Sequence, residues 1–195
     1  MPPSETLRTF LCTNLVIPYE RSEMFFTKLQ NVPTLKCQVK NSEYGREHSK
    51  LILKLDTLSH LESLRVQYKT FADTAMEFNV CNLEATHLEV LKLDGGIFGE
   101  TWNVEDEEFQ NLKFLRLKTL GIEELNASDN SFPRLKHFVV EKCAYLQEIP
   151  PSFVNILTLK IIEVDPHLEI SARQIQEEQK DLGNDPELLI PSRYW

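Results

Sequence analysis

One string recurs along this chain and limits what it can fold into. Written around its apolar positions it is L-x-x-L-x-L, with residues of similar bulk allowed at each anchor. It fits Leu7/Phe10/Cys12, Val32/Leu35/Cys37, Leu61/Leu64/Val66, Leu88/Leu91/Leu93, Leu112/Leu115/Leu117, Leu135/Phe138/Val140 and Leu159/Ile162/Val164. The middle anchors follow one another by 25, 29, 27, 24, 23 and 24 residues. A helix face would repeat at three and four, and an isolated strand would alternate throughout. This pattern alternates for one short strand and then turns a corner, as in LKHFVVEKCAYLQEIP (residues 135 to 150).

A repeat of 20–29 residues with this string is the signature of leucine-rich repeats. Each copy lays down a short strand whose anchors point inward. One coil cannot bury its own anchors, so neighbouring coils must stack. The expected fold is an α/β leucine-rich-repeat solenoid of about seven coils, with a parallel sheet on the concave side. Loops and short helical turns are expected on the irregular convex side. Phe109 and Phe132, each three residues before a first anchor, read as core fillers beneath it. The last coil admits a second register, Ile156/Leu159/Ile161. The first is preferred because His167 then follows Val164 as Cys143 follows Val140, and Ile170 matches Leu146.

The ends differ from the repeats. SARQIQEEQKDLGND predicts a polar capping helix from about Ser171 to Leu182, with Ser171 as N-cap and Gly183 as stop. Residues 1–168 are thus expected to form the solenoid and 169–195 the cap helix and tail. Only MPPSE precedes the first repeat, which is no cap for a strand edge. Something is therefore expected to precede or cover that end. An open end also leaves the oligomeric state undecided.

Composition narrows the function. A formal net charge of −9 argues against non-specific nucleic-acid binding. No run reaches the roughly 18 apolar residues of a membrane span, and the first residues do not read as a secretory signal. Cys12, Cys37, Cys81 and Cys143 form no C-x-x-C pair and read as reduced core thiols in a cytoplasmic protein. The triplet Asn126-Ala127-Ser128 is an ordinary chance sequon. The glycines at 95, 96 and 99 lack the Lys-Ser/Thr of a phosphate loop and read as a turn leaving the fourth strand. His48, His60, His87, His137 and His167 have no metal-ligand spacing. Glu105 to Glu108 lack the turn and spaced ligands of a calcium loop and read as a solvated convex loop. No catalytic, metal or cofactor site emerges, and the chain does not read as an enzyme.

What remains is surface. The residue between the last two anchors points out of the concave sheet, and in coils two to seven it is Lys36, Arg65, Lys92, Arg116, Val139 and Glu163. Strands lie about 4.8 Å apart, so four cations stand in a ladder. Beside them runs a more apolar column of Val90, Phe114, His137 and Ile161. The ladder is either solvent-facing filler, partly offset by Glu62 and Glu89, or a docking stripe for an acidic protein partner. In the second case Lys36, Arg65, Lys92, Arg116, Val90, Phe114 and His137 form the binding face.

Several phrases carry a family resemblance. Gly99 to Trp102 (G-x-x-W) precedes an acidic run. Then come Phe109 to Leu117 (F-x-x-L-x-x-L-x-L) and Cys143 to Pro150 (C-x-x-L-x-x-I-P). Over roughly residues 27 to 184 the chain resembles the C-terminal repeat region of plant nucleotide-binding leucine-rich-repeat immune receptors. The group is the coiled-coil class, similar to the late blight resistance protein homologues of nightshade-type plants. The resemblance implies a region that restrains a nucleotide-binding switch and helps sense pathogen effectors. Its protein partners would be that switch module and an effector. The phosphate loop and coiled coil of such receptors are not in this sequence. A different reading is a stand-alone repeat adaptor, either a truncated receptor copy acting in trans or a substrate-recognition module of a ubiquitin ligase.

Overall fold

A computed structural model describes residues 10–15, 32–40, 51–52, 60–69, 78–79, 87–95 and 100–191. Its strands are β1 (Phe10–Leu15), β2 (Thr34–Lys40), β3 (Leu51–Ile52), β4 (Ser63–Lys69), β5 (Phe78–Asn79) and β6 (Val90–Asp94), followed by β7 (Thr101–Val104), β8 (Phe114–Lys118), β9 (Glu124–Ala127), β10 (His137–Glu141), β11 (Ile161–Val164) and β12 (Glu187–Leu189). One helix, α1 (Glu169–Asp181), lies between β11 and β12.

The main sheet has eight strands in the order β1-β2-β4-β6-β8-β10-β11-β12. Its pairings are all parallel, with template positions opposite one another: Leu35, Leu64, Leu91, Leu115, Phe138 and Ile162 form one continuous rung. Each of those six side chains is at most 1% exposed. The flanking anchors Leu61, Leu88, Leu112, Leu135 and Leu159 are at most 2% exposed, while Val32 packs partly buried against the same core. The Ile162 register holds for the last coil, since Phe138 pairs with Ile162.

Three sharp exits repeat at one position. Gly95, Thr119 and Lys142 each follow a strand with positive φ, at 78°, 54° and 55°. The Gly95 N–H donates to the Lys118 carbonyl and the Thr119 N–H to the Glu141 carbonyl, both at 2.8 Å. Glycine takes this conformation freely, whereas the Cβ of Thr119 and Lys142 strains it. Gly96 to Gly99 lie outside the described residues, as do Leu7, His48 and Cys81.

The convex side departs from the expectation of loops and helical turns alone. β7 and β9 form a parallel pair there, with Trp102 opposite Leu125, and β3 pairs with β5. Two 3-10 turns follow, at Pro151–Asn155 and Pro166–Leu168. The expected filler phenylalanines are fully buried and extend further than predicted. Phe109 and Phe132 stack at 5.4 Å, Trp102 meets Phe109 edge-on at 6.4 Å, and Phe153 joins Phe132 at 5.8 Å and Phe138 at 4.8 Å. This aromatic spine fills the space between sheet and convex returns with rigid apolar volume.

The C-terminal end corrects three details. Helix α1 begins at Glu169, and its N-cap residue is Leu168, with no side-chain cap. Ser171 does not cap it; its hydroxyl instead donates to the Leu168 carbonyl and accepts from the Ile149 N–H, tying the helix to the preceding coil. Ile170 does not repeat Leu146: it is 84% exposed against 1%, because the helix turns that position outward and Leu168 takes the core place. His167 is exposed, with Nε2 3.1 Å from the Leu146 carbonyl oxygen. Gly183 ends the helix as expected, at φ +85°. Beyond it Asn184 turns the chain back so that β12 adds to the sheet beside β11.

Candidate protein-binding face

The register that buries the anchors also aligns the outward residues. Lys36, Arg65, Lys92, Arg116, Val139 and Glu163 are successive partners across β2, β4, β6, β8, β10 and β11. Ser63, Val90, Phe114, His137 and Ile161 form the neighbouring column. The alternation of β structure thus brings all seven candidate residues onto one face. Strand β12, which carries no L-x-x-L-x-L string, extends both columns with Leu189 and Glu187. The column does not stay basic or exposed: Val139 is only 6% exposed.

Each cation solves its electrostatics differently, and the diagonal neighbour decides how. Arg116 on β8 reaches Glu141 on β10 with one nitrogen at 2.7 and 2.8 Å from the two carboxylate oxygens. Lys118, directly opposite Glu141, adds a contact at 2.9 Å. Burial pushes the Glu141 carboxyl up, but hydrogen bonds and charge from Arg116 and then Lys118 outweigh it and hold it below the usual carboxylate range. Arg116 Nε is buried and finds no partner among the described residues. Arg65 has the same diagonal relation to Asp94, more loosely, at 3.9 Å. Lys36 and Lys92 have no carboxylate at that position; their diagonal neighbours are Gln67 and Lys118. Lys92 instead lies over the Phe114 ring, 4.8 Å from its centre, and His137 flanks the same ring at 5.9 Å.

The balancing acids are therefore Asp94 and Glu141. Glu89 serves Lys113 at 2.6 Å. Reading only the residues beside the ladder misses this; a diagonal step of one strand and two residues finds both acids. Between these columns and the next, Gln38 donates to Gln67 at 3.2 Å and Gln67 to Asp94 at 3.5 Å.

Other candidates resolve as structure. Glu105 to Glu107 are exposed and Glu108 half-buried in a turn closed by the Glu105 N–H on a Glu108 carboxylate oxygen at 3.1 Å. Burial raises the Glu108 carboxyl. Among the described residues no group of His, Cys, Asp and Glu is placed to hold a metal. Cys37 and Cys143 are buried, and burial pushes the Cys143 thiol up to about 11, which keeps it protonated at neutral pH. Asn126 Nδ2 donates to Asn103 Oδ1 at 3.0 Å across β7 and β9. No helix of the described residues is long and apolar enough to cross a membrane.

A parallel strand ladder with buried L-x-x-L-x-L anchors, an irregular convex side and an outward polar column defines a leucine-rich-repeat solenoid. Its homologues over most of its length are late blight resistance protein homologues. The putative late blight resistance protein homolog R1B-12 of Solanum demissum is 32% identical over 191 residues, covering 87% of this chain. R1B-13 from the same plant is 30% identical over 90% of it. The chain spans only 14% and 18% of the length of those two relatives. No protein-family model matches the chain. Among solved structures, the leucine-rich-repeat domain of the type III effector XopL aligns with a TM-score of 0.52. It is 13% identical and covers 94% of this chain and 76% of that one, which speaks to the fold alone. By fold this is a leucine-rich-repeat solenoid, and in sequence it is similar to a stretch of the late blight resistance protein homologues.

Proposed function

We propose that the chain is the non-catalytic protein-interaction domain of a cytoplasmic plant immune receptor, contributing effector recognition and restraint of a nucleotide-binding switch module. Residues 1–168 serve as the binding solenoid and 169–195 as cap and tail. The observation that carries this reading is the in-register column Lys36, Arg65, Lys92 and Arg116 beside Val90, Phe114 and His137. A chain of net charge −9 gathers cations on one face of its sheet. An aromatic centre with charged surroundings is the usual make-up of an interface that dominates binding energy, and complementary charge sets partner choice and association rate. The homologues supply the receptor context. The reading assigns the chain no metal, cofactor or nucleic acid.

The test is co-purification of the chain with the nucleotide-binding module of a resistance-protein relative expressed separately. Arg65→Glu with Lys92→Glu is expected to abolish the complex while the circular dichroism spectrum is unchanged. Retention of the complex by a folded double variant would overturn the assignment of this face.

A further inference from the structure

The four cations of the concave column are not equivalent. Arg116 is already bound to a carboxylate, with both Glu141 oxygens within 2.8 Å of one guanidinium nitrogen. Lys118, two residues along the same strand as Arg116, closes the same carboxylate at 2.9 Å. This is the geometry in which an incoming acidic side chain would be held, and the chain fills it itself. At the other end of the column no ion pair among the described residues reaches Lys36 or Lys92, and Arg65 touches Asp94 only at 3.9 Å. Lys36 and Arg65 are exposed and Lys92 half-buried against Phe114. These three stand on adjacent strands, so they cover about 10 Å at the usual strand spacing.

We propose that a carboxylate-bearing protein segment docks across β2, β4 and β6, and that Glu141 sets the far boundary of this site by occupying Arg116 and Lys118. The inference rests on the reading that the concave face binds protein, and it names the partner's chemistry and the site's extent. Charge complementarity selects the occupant: among the described residues, three cations in line face carboxylates that are few and largely engaged. Asp94 is shared by Arg65 and Gln67, and Glu89 is held by Lys113. Glu62 stands at the rim before β4. Glu141 is then a specificity determinant that blocks acids from the aromatic half of the sheet.

The experiment is fluorescence anisotropy of a labelled deca-aspartate peptide titrated with the whole chain at low salt. Wild type is expected to bind. Lys36→Ala and Lys92→Ala should each weaken binding about threefold, the size of one exposed charge pair. Arg116→Gln should change it less than either, and Glu141→Gln should strengthen it about threefold by freeing two cations. Equal losses at Arg116 and Lys92 with no effect of Glu141→Gln would refute the boundary and leave the protein-binding face standing. A wild type that ignores deca-aspartate yet co-purifies with the nucleotide-binding module would refute the acidic chemistry alone. Failure of both would remove the face itself. Circular dichroism of each variant separates lost binding from lost folding.

Discussion

Gln179 is fully buried on the inner side of α1, and replacing it with leucine measures what seals the open end of the solenoid. Its Nε2 donates to the Phe153 carbonyl at 2.7 Å and to the Ile156 carbonyl at 3.1 Å. Its Oε1 accepts from Asn184 Nδ2 at 2.8 Å, while that same nitrogen reaches the Leu159 carbonyl at 3.0 Å. Leucine deletes three hydrogen bonds worth about 1 kcal/mol each. The Phe153 and Ile156 carbonyls keep one partner each, the N–H groups of Ile156 and Leu159, so neither is left bare. The similar volume of leucine returns part of the loss as apolar contact. The expected net loss is about 2–3 kcal/mol, read as a lower urea midpoint. Because coils interact mainly with neighbours, the amides of α1 and β12 should exchange faster than those of β8. A loss below about 1 kcal/mol, or equal acceleration everywhere, would refute a hydrogen-bonded cap.

Phe132→Ala removes the middle of the aromatic spine and should cost about 3–5 kcal/mol in urea unfolding, against little for an exposed site such as Ile170. Thr119→Gly relieves a β-branched residue at φ 54° and should raise stability by about 1 kcal/mol in urea unfolding; an unchanged midpoint would contradict strain at that exit. Glu141 titrates lower in the folded chain than in the unfolded one, so its charge stabilises above the ordinary carboxylate range and that contribution fades as pH falls through the folded value. Glu141→Gln should therefore be less stable than wild type at pH 7, with the gap closing in acid; a gap constant with pH would contradict the ion pairs.

Much of this fold was legible because one physical demand sets it. A coil must bury its anchors against its neighbours, so spacing alone predicted the strands, their register and the outward columns. Phe109 and Phe132 were legible for the same reason. Trp102 and β7 were not, since convex returns need only fill space and any apolar pattern can do that. Phe153 was missed because it sits six residues before its anchor while Ile156 takes the usual place. Ile170 misled because a helix replaces a coil there and rotates the side chain out. The last strand, Glu187–Leu189, carries no repeat string; the turn at Gly183 and Asn184 places it. On the concave face the identity of the columns could be read, but the pairing of Arg116 with Glu141 depends on a diagonal across two strands.

The most direct measurement of the central claim is lysine footprinting of the chain, alone and bound to the nucleotide-binding module. Reductive methylation read by mass spectrometry reports each ammonium separately. Lys36 and Lys92 are expected to lose reactivity in the complex while Lys180, on the cap helix, keeps its own. Protection of Lys180 with Lys36 and Lys92 unchanged would place the partner elsewhere and contradict the concave face as the binding surface.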